Sequence, residues 1–137
     1  MDVREKVKNL SQAATFDCEG MPAPTREERK AQFLQHSRVY VTHPQRGKIP
    51  LMRTMLTSAC ERNCYYCPFQ AGRNYRRVSL EPEELARAFN EMQRQKLVDG
   101  LFLSNGIVGG GIKAMDGMLD CVEIVRRKYE YRGYIHL

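Results

Sequence analysis

Residues 101 to 104, "LFLS", form an unbroken apolar run too short for a helix, with helical patterns on either side. A run of this kind is what a strand buried on both faces of a parallel sheet looks like. It constrains the fold strongly, because parallel neighbours must be joined by long crossovers, usually helices. The flanking sequence supplies them. "IPLMRTMLT", residues 49 to 57, reads as a preceding strand. "EPEELARAFNEMQRQKLVDG" then reads as a helix with Pro82 near its first turn, Leu85, Phe89 and Met92 on one face, and Gly100 as its stop. After the central run, "NGIVGGGIK" is a glycine loop. A further helix follows with Met118, Val122 and Val125 on one side and Gly133 ending it, and "YIHL" is a last strand. From residue 48 onward the order is strand, helix, strand, helix, strand: two βα units and the start of a third, an α/β pattern.

Residues 1–47 read as an N-terminal helical extension and linker, and 48–137 as the βα region. In "MDVREKVKNLSQAATF" the apolar residues Val3, Val7, Leu10 and Ala14 make a helical stripe behind an Asp2 cap. "DCEGMPAP" breaks it, and Thr25 with Glu28 marks a capping box for a second helix running to about His36. "VYVT", residues 39 to 42, reads as a short strand, and "HPQRGK" as a turn. An eight-unit βα barrel takes about 250 residues, and a bare apolar final strand would leave an unpaired sheet edge. The chain therefore reads as the N-terminal portion of a longer protein. The alternative is a small three-stranded domain whose edge is covered by the N-terminal helices or a second copy.

The net charge is +6, from 22 Lys and Arg against 16 Asp and Glu. That favours an anionic partner without specifying one, and is equally compatible with basic faces that are only solvated. No apolar run approaches the length of a membrane span, and the charged N-terminus lacks a signal-peptide core, so a cytoplasmic protein with no membrane partner is expected. In that compartment five cysteines, three of them crowded together, point to metal or redox chemistry in preference to disulfides.

The three are Cys60, Cys64 and Cys67 in "SACERNCYYCPFQ". Thiolates are soft ligands, suited to zinc or to iron and sulfide, and three on one short loop can hold three corners of a cubane cluster with the fourth corner open. Zinc sites usually pair cysteines with a second pair or histidines well downstream, and no second CxxC exists here. Cys18 and Cys121 stand alone in the sequence, and either could be recruited as a fourth ligand.

"CERNCYYCP" resembles the CxxxCxΦC loop of the radical S-adenosylmethionine superfamily, with Tyr66 as the aromatic before the third cysteine and a strand leading into the loop. The resemblance implies a partial (βα)6 radical SAM barrel with an N-terminal helical extension, here ending after its third strand. It also implies a 4Fe-4S cluster on Cys60, Cys64 and Cys67 whose open iron chelates S-adenosylmethionine. Reductive cleavage of that cofactor would generate a 5′-deoxyadenosyl radical that takes a hydrogen atom from substrate. An electron donor of flavodoxin or ferredoxin type is implied as partner. Tyr66 would sit beside the adenine, and Ser104, Asn105 and Gly106 would hold the place of the superfamily's GGE turn, contacting the cofactor through their backbone. "SNG" departs from GGE, although backbone carbonyls need no particular side chain. The following "GIVGGGIK" has P-loop-like glycine spacing but lacks Gly-Lys-Ser or Gly-Lys-Thr, so a nucleotide-triphosphatase reading fails.

"AATFDC", "DGLFLSNG" and "GYIHL" are similar to marks of one subgroup, radical proteins of DNA modification or repair. Its members are longer and carry a C-terminal helix-hairpin-helix region, which implies DNA as a partner through sequence beyond these residues. The basic cluster Arg73, Arg76 and Arg77, interleaved with Tyr75, offers a phosphate contact, but pairing with Glu81, Glu83 and Glu84 is the preferred reading. His136 reads as a satisfied strand residue. Two rivals remain: a non-catalytic zinc or iron-sulfur module completed by Cys18 or Cys121, and a nucleic-acid-binding domain in which the cysteines are dispensable.

Overall fold

The computed structural model describes residues 1–14 and 38–137. The helix and capping box expected between Thr25 and His36, and Cys18, lie outside the described residues. Helix α1 (Val3–Ala13) starts as the pattern requires, with the Asp2 carboxylate accepting from the Glu5 N–H at 2.8 Å. Strands β1 (Arg38–His43) and β2 (Gly47–Met55) form an antiparallel hairpin in which Val41 faces Ile49. Helix α2 (Pro82–Arg94) carries the chain to β3 (Gly100–Ser104), which pairs parallel to β2 with Met52 beside Leu101. Helix α3 (Gly111–Arg127) then leads to β4 (Tyr134–His136), parallel to β3 with Leu101 beside Ile135. The sheet order is β1-β2-β3-β4.

The α/β class is as expected, but the described strands form an open four-stranded mixed sheet and close no barrel. The outer edge of β2 is occupied by β1, a strand contributed by the segment read as an N-terminal extension. Helix α1 is equally part of the domain. Its Leu10, Ala13 and Ala14 are buried in one hydrophobic cluster with Met52 and Met55 of β2, Leu85 and Phe89 of α2, Leu101 and Leu103 of β3, and Met118, Cys121 and Val125 of α3. Each fully buried Leu or Phe there contributes about 1.5–3 kcal/mol. Side chains alternate across β3, so Leu101 and Leu103 enter the cluster while Phe102 faces the other way and stacks on His136, ring centroids 4.8 Å apart.

Helix ends differ from the sequence expectation. α2 stops at Arg94, not Gly100, and Lys96 makes the reversal in the left-handed region (φ 59°) while the Leu97 N–H returns to the Met92 carbonyl. α3 stops at Arg127, and Glu130 (φ 53°) does the same there. Gly100 opens β3 instead. On α3 the buried stripe runs through Cys121, where Val122 was expected. No helix among the described residues is long and apolar enough to cross a membrane.

Candidate metal-binding loop

The cysteines lie on an excursion from the C-terminal end of β2 whose neck is tied shut before the thiols begin. The Leu80 N–H donates to the Leu56 carbonyl at 2.9 Å and the Ser58 N–H to that of Val78 at 3.0 Å. The buried Ser58 hydroxyl accepts from the Val78 N–H at 2.9 Å. Across this neck lies Arg77. One of its nitrogens donates to the carbonyls of Ser58 and Phe69, both at 2.7 Å, and the other to those of Gln70 at 2.8 Å and Arg73 at 3.2 Å. A planar fork of donors can bridge several carbonyls in this way and an ammonium cannot. Beyond the cysteines the chain is anchored by Phe69, 3% exposed, which meets the Tyr75 ring edge-on at 4.9 Å. Burial lifts the Tyr75 phenol above its ordinary value, opposed by the nearby Arg77 charge.

The second support is the turn after β3. Gly106 is buried, and its N–H donates to the Thr57 carbonyl at 2.9 Å; an added Cβ would overlap the Ala59 carbonyl, so only glycine fits beneath the loop. The Asn105 side chain accepts from the Thr57 N–H at 3.1 Å and donates to the Ala114 carbonyl at 3.0 Å, tying the end of β2 to α3. One residue on, the Ile107 N–H donates to the Cys60 sulfur at 3.5 Å, and the Glu61 N–H donates to the Ile107 carbonyl at 2.7 Å. The Glu61 carboxylate accepts from the N–H groups of Gly109 at 3.0 Å and Gly110 at 3.1 Å, both glycines having positive φ.

The structure thus brings Asn105 and Gly106 against the base of the cysteine loop, next to Thr57 and Ala59. Ser104 uses its carbonyl to receive the Leu56 N–H at 2.9 Å. Cys60 and Cys67 are half-buried against the core and Cys64 is exposed. A turn between the last two is closed by the Cys67 N–H and the Cys64 carbonyl at 3.1 Å, and it projects Tyr65 and Tyr66 into solvent, 88% and 87% exposed. Tyr66 therefore does not pack beneath the loop. Cys121 is fully buried in the core, and burial pushes its thiol up to about 12.

The donor set on the loop is all sulfur. Glu61, the carboxylate within the motif, is engaged by two backbone N–H groups, and among the described residues no three His, Cys, Asp or Glu side chains gather as a single ion would require. Three thiolates are the soft donor set that an iron-sulfur cluster takes, and here Cys60 and Cys67 are half-buried against the core while Cys64 is exposed. The basic residues serve otherwise than expected. Arg73 donates to Gln70 and to the Tyr65 carbonyl, Arg77 holds the neck, and Arg76 faces Glu5 at 3.8 Å. Glu84 pairs instead with Lys6, and Glu83 with Lys128. Sequence reasoning missed Glu61, Phe69 and Arg77 as supports of the loop. The only signal for Glu61 was its position inside the motif. Compared with family models, curated proteins and solved structures, the chain matches none significantly.

Proposed function

We propose that the chain is the N-terminal portion of a radical S-adenosylmethionine enzyme, with Cys60, Cys64 and Cys67 holding a 4Fe-4S cluster that keeps one iron free. One observation carries this reading: the three-thiol loop and the turn after β3 emerge together at the C-terminal ends of two parallel strands and are hydrogen-bonded to each other. Ligands of parallel βα folds bind at that end. When bound, the cluster and its nucleotide cofactor supply reductive sulfonium cleavage and hydrogen-atom abstraction. The chain's own contributions are structural. The three thiolates bind, the core beneath Cys60 and Cys67 excludes water from one side, and the Asn105–Gly106 turn holds the loop from beneath. Tyr66 offers an exposed ring for a purine to lie against. The parallel strands β2, β3 and β4 are then the first three of a partial (βα)6 barrel. Because β1 occupies the far edge of β2, further strands add at β4.

The substrate class proposed is DNA or nucleotide, from the subgroup resemblance and the net charge of +6; the electron donor is a flavodoxin- or ferredoxin-like protein. The arginine cluster lends less to the DNA reading than the sequence promised, since Arg73 and Arg77 spend their donors on the loop itself. Oxygen-free reconstitution with iron and sulfide tests the cluster. Replacing Cys60, Cys64 or Cys67 by Ala should each abolish stable cluster content, while Cys18→Ala and Cys121→Ala should preserve it. Loss of the cluster in Cys18→Ala or Cys121→Ala as well would establish the rival, a module completed by a fourth cysteine. Adding reductant and S-adenosylmethionine to the loaded protein should release 5′-deoxyadenosine.

A further inference from the structure

Helix α3 begins without a cap of its own. Its N-cap residue is Gly110, which has no side chain to cap with, and its first turn holds no acidic residue. The anion that serves this end comes from 48 residues earlier in the chain, as the Glu61 carboxylate on the Gly109 and Gly110 N–H groups. Both contacts are charge-assisted and lie where the dipole of a 17-residue helix favours negative charge. Glu61 follows Cys60 directly, and residues 60 and 61 also exchange bonds with Ile107, which donates to the Cys60 sulfur and accepts from the Glu61 N–H.

We infer that Glu61 is a positioning residue for Cys60: by clamping the Gly109–Gly110 turn it fixes the β3–α3 connection against the cysteine loop and keeps the Ile107 N–H on the Cys60 sulfur. The clamp works in both directions. The helix terminus gains its missing anion, and the first thiol gains a fixed height above the sheet and a backbone N–H on its sulfur that covers it. Glu61 touches no thiol, so it acts through the backbone of the facing turn. The consequence for a bound cluster rests on the function proposed above; the clamp itself does not.

Two variants of the full chain test it, Glu61→Ala and the near-isosteric Glu61→Gln, which keeps one acceptor oxygen. The Glu61 side chain is 43% exposed, so both variants should retain the parent's circular dichroism. In metal-free protein, Glu61→Ala should speed hydrogen exchange at Gly109 and Gly110 about tenfold or more and raise the rate of Cys60 alkylation relative to Cys64, with Glu61→Gln in between. Parent rates at both places in Glu61→Ala would overturn the inference. In reconstituted protein, loss of the N–H to sulfur bond should lower the cluster's reduction potential, part way in Glu61→Gln and further in Glu61→Ala. If no variant and no parent assembles a cluster, the functional proposal fails while the exchange and alkylation result still decides the clamp.

Discussion

Arg77 sits in a run of basic residues that invites a reading as a phosphate contact, yet it spends its donors on four backbone carbonyls at the neck of the cysteine loop. Arg77→Ala removes a charged donor from all four, so we expect a loss of about 2 kcal/mol in urea unfolding, with Arg77→Lys recovering only part because an ammonium cannot span the set. Gly106 makes the same point from the opposite side. Its side of the turn lies against the Ala59 carbonyl, so Gly106→Ala must push the cysteine loop off the β3 turn, at a cost on the order of 3 kcal/mol. Gly72, on the same loop with open space around it, is the control: Gly72→Ala should leave stability within about 0.5 kcal/mol of the parent. The three thiols stand out as a candidate donor set from spacing alone because their chemistry is local. Arg77, Glu61 and Phe69 do not, because what each does depends on which backbone the fold brings opposite it.

At the scale of elements, helices α1, α2 and α3 and strands β2, β3 and β4 follow from apolar periodicity, since the same stripes that mark them are the residues that meet in the core. Their ends do not follow. Both crossover helices turn out of their last turn through a non-glycine residue, Lys96 or Glu130, in the left-handed region. The glycine expected to stop α2 is needed downstream, because Gly100 lies under the Leu51 side chain as β3 begins. An L-residue in that conformation costs about 1–2 kcal/mol, so the exposed Lys96→Gly change should raise stability by up to about 1 kcal/mol in thermal or urea unfolding. The start of α2 carries a pH signature. The Glu81 N–H at 2.9 Å and Lys6 at 3.0 Å hold the Glu84 carboxyl below its usual range. A depressed carboxyl adds stability that is fully present above its unfolded value, about 4.3, and is lost as pH falls through the lower folded value. Glu84→Gln should therefore reduce stability at neutral pH and flatten the acid limb of the stability curve. An unchanged acid limb would show that α1 is held to α2 by packing alone.

For the molecule as a whole, the parallel β2-β3-β4 arrangement was legible from the order of apolar runs, but the place of β1 was not. "VYVT" reads as a strand without saying which edge it joins, and its pairing along β2 seals one side of the sheet and draws the N-terminal segment into the domain. The result puts every support of the cysteine loop at one end of the sheet: the neck from β2, the turn from β3, the start of α3, and Phe69 from the core. The thiols are therefore carried on a frame that the rest of the domain stabilises, and core damage such as Phe89→Ala, expected to cost about 3–5 kcal/mol, should lower retention of the proposed cluster along with stability. The central claim is that three sulfurs hold a cubane and leave one iron available. Mössbauer spectroscopy of the oxygen-free, iron-reconstituted protein tests it most directly. The account predicts one distinct iron site whose signal shifts when S-adenosylmethionine is added; a spectrum the cofactor leaves unchanged, or a protein that takes up zinc in place of the cluster, would contradict it.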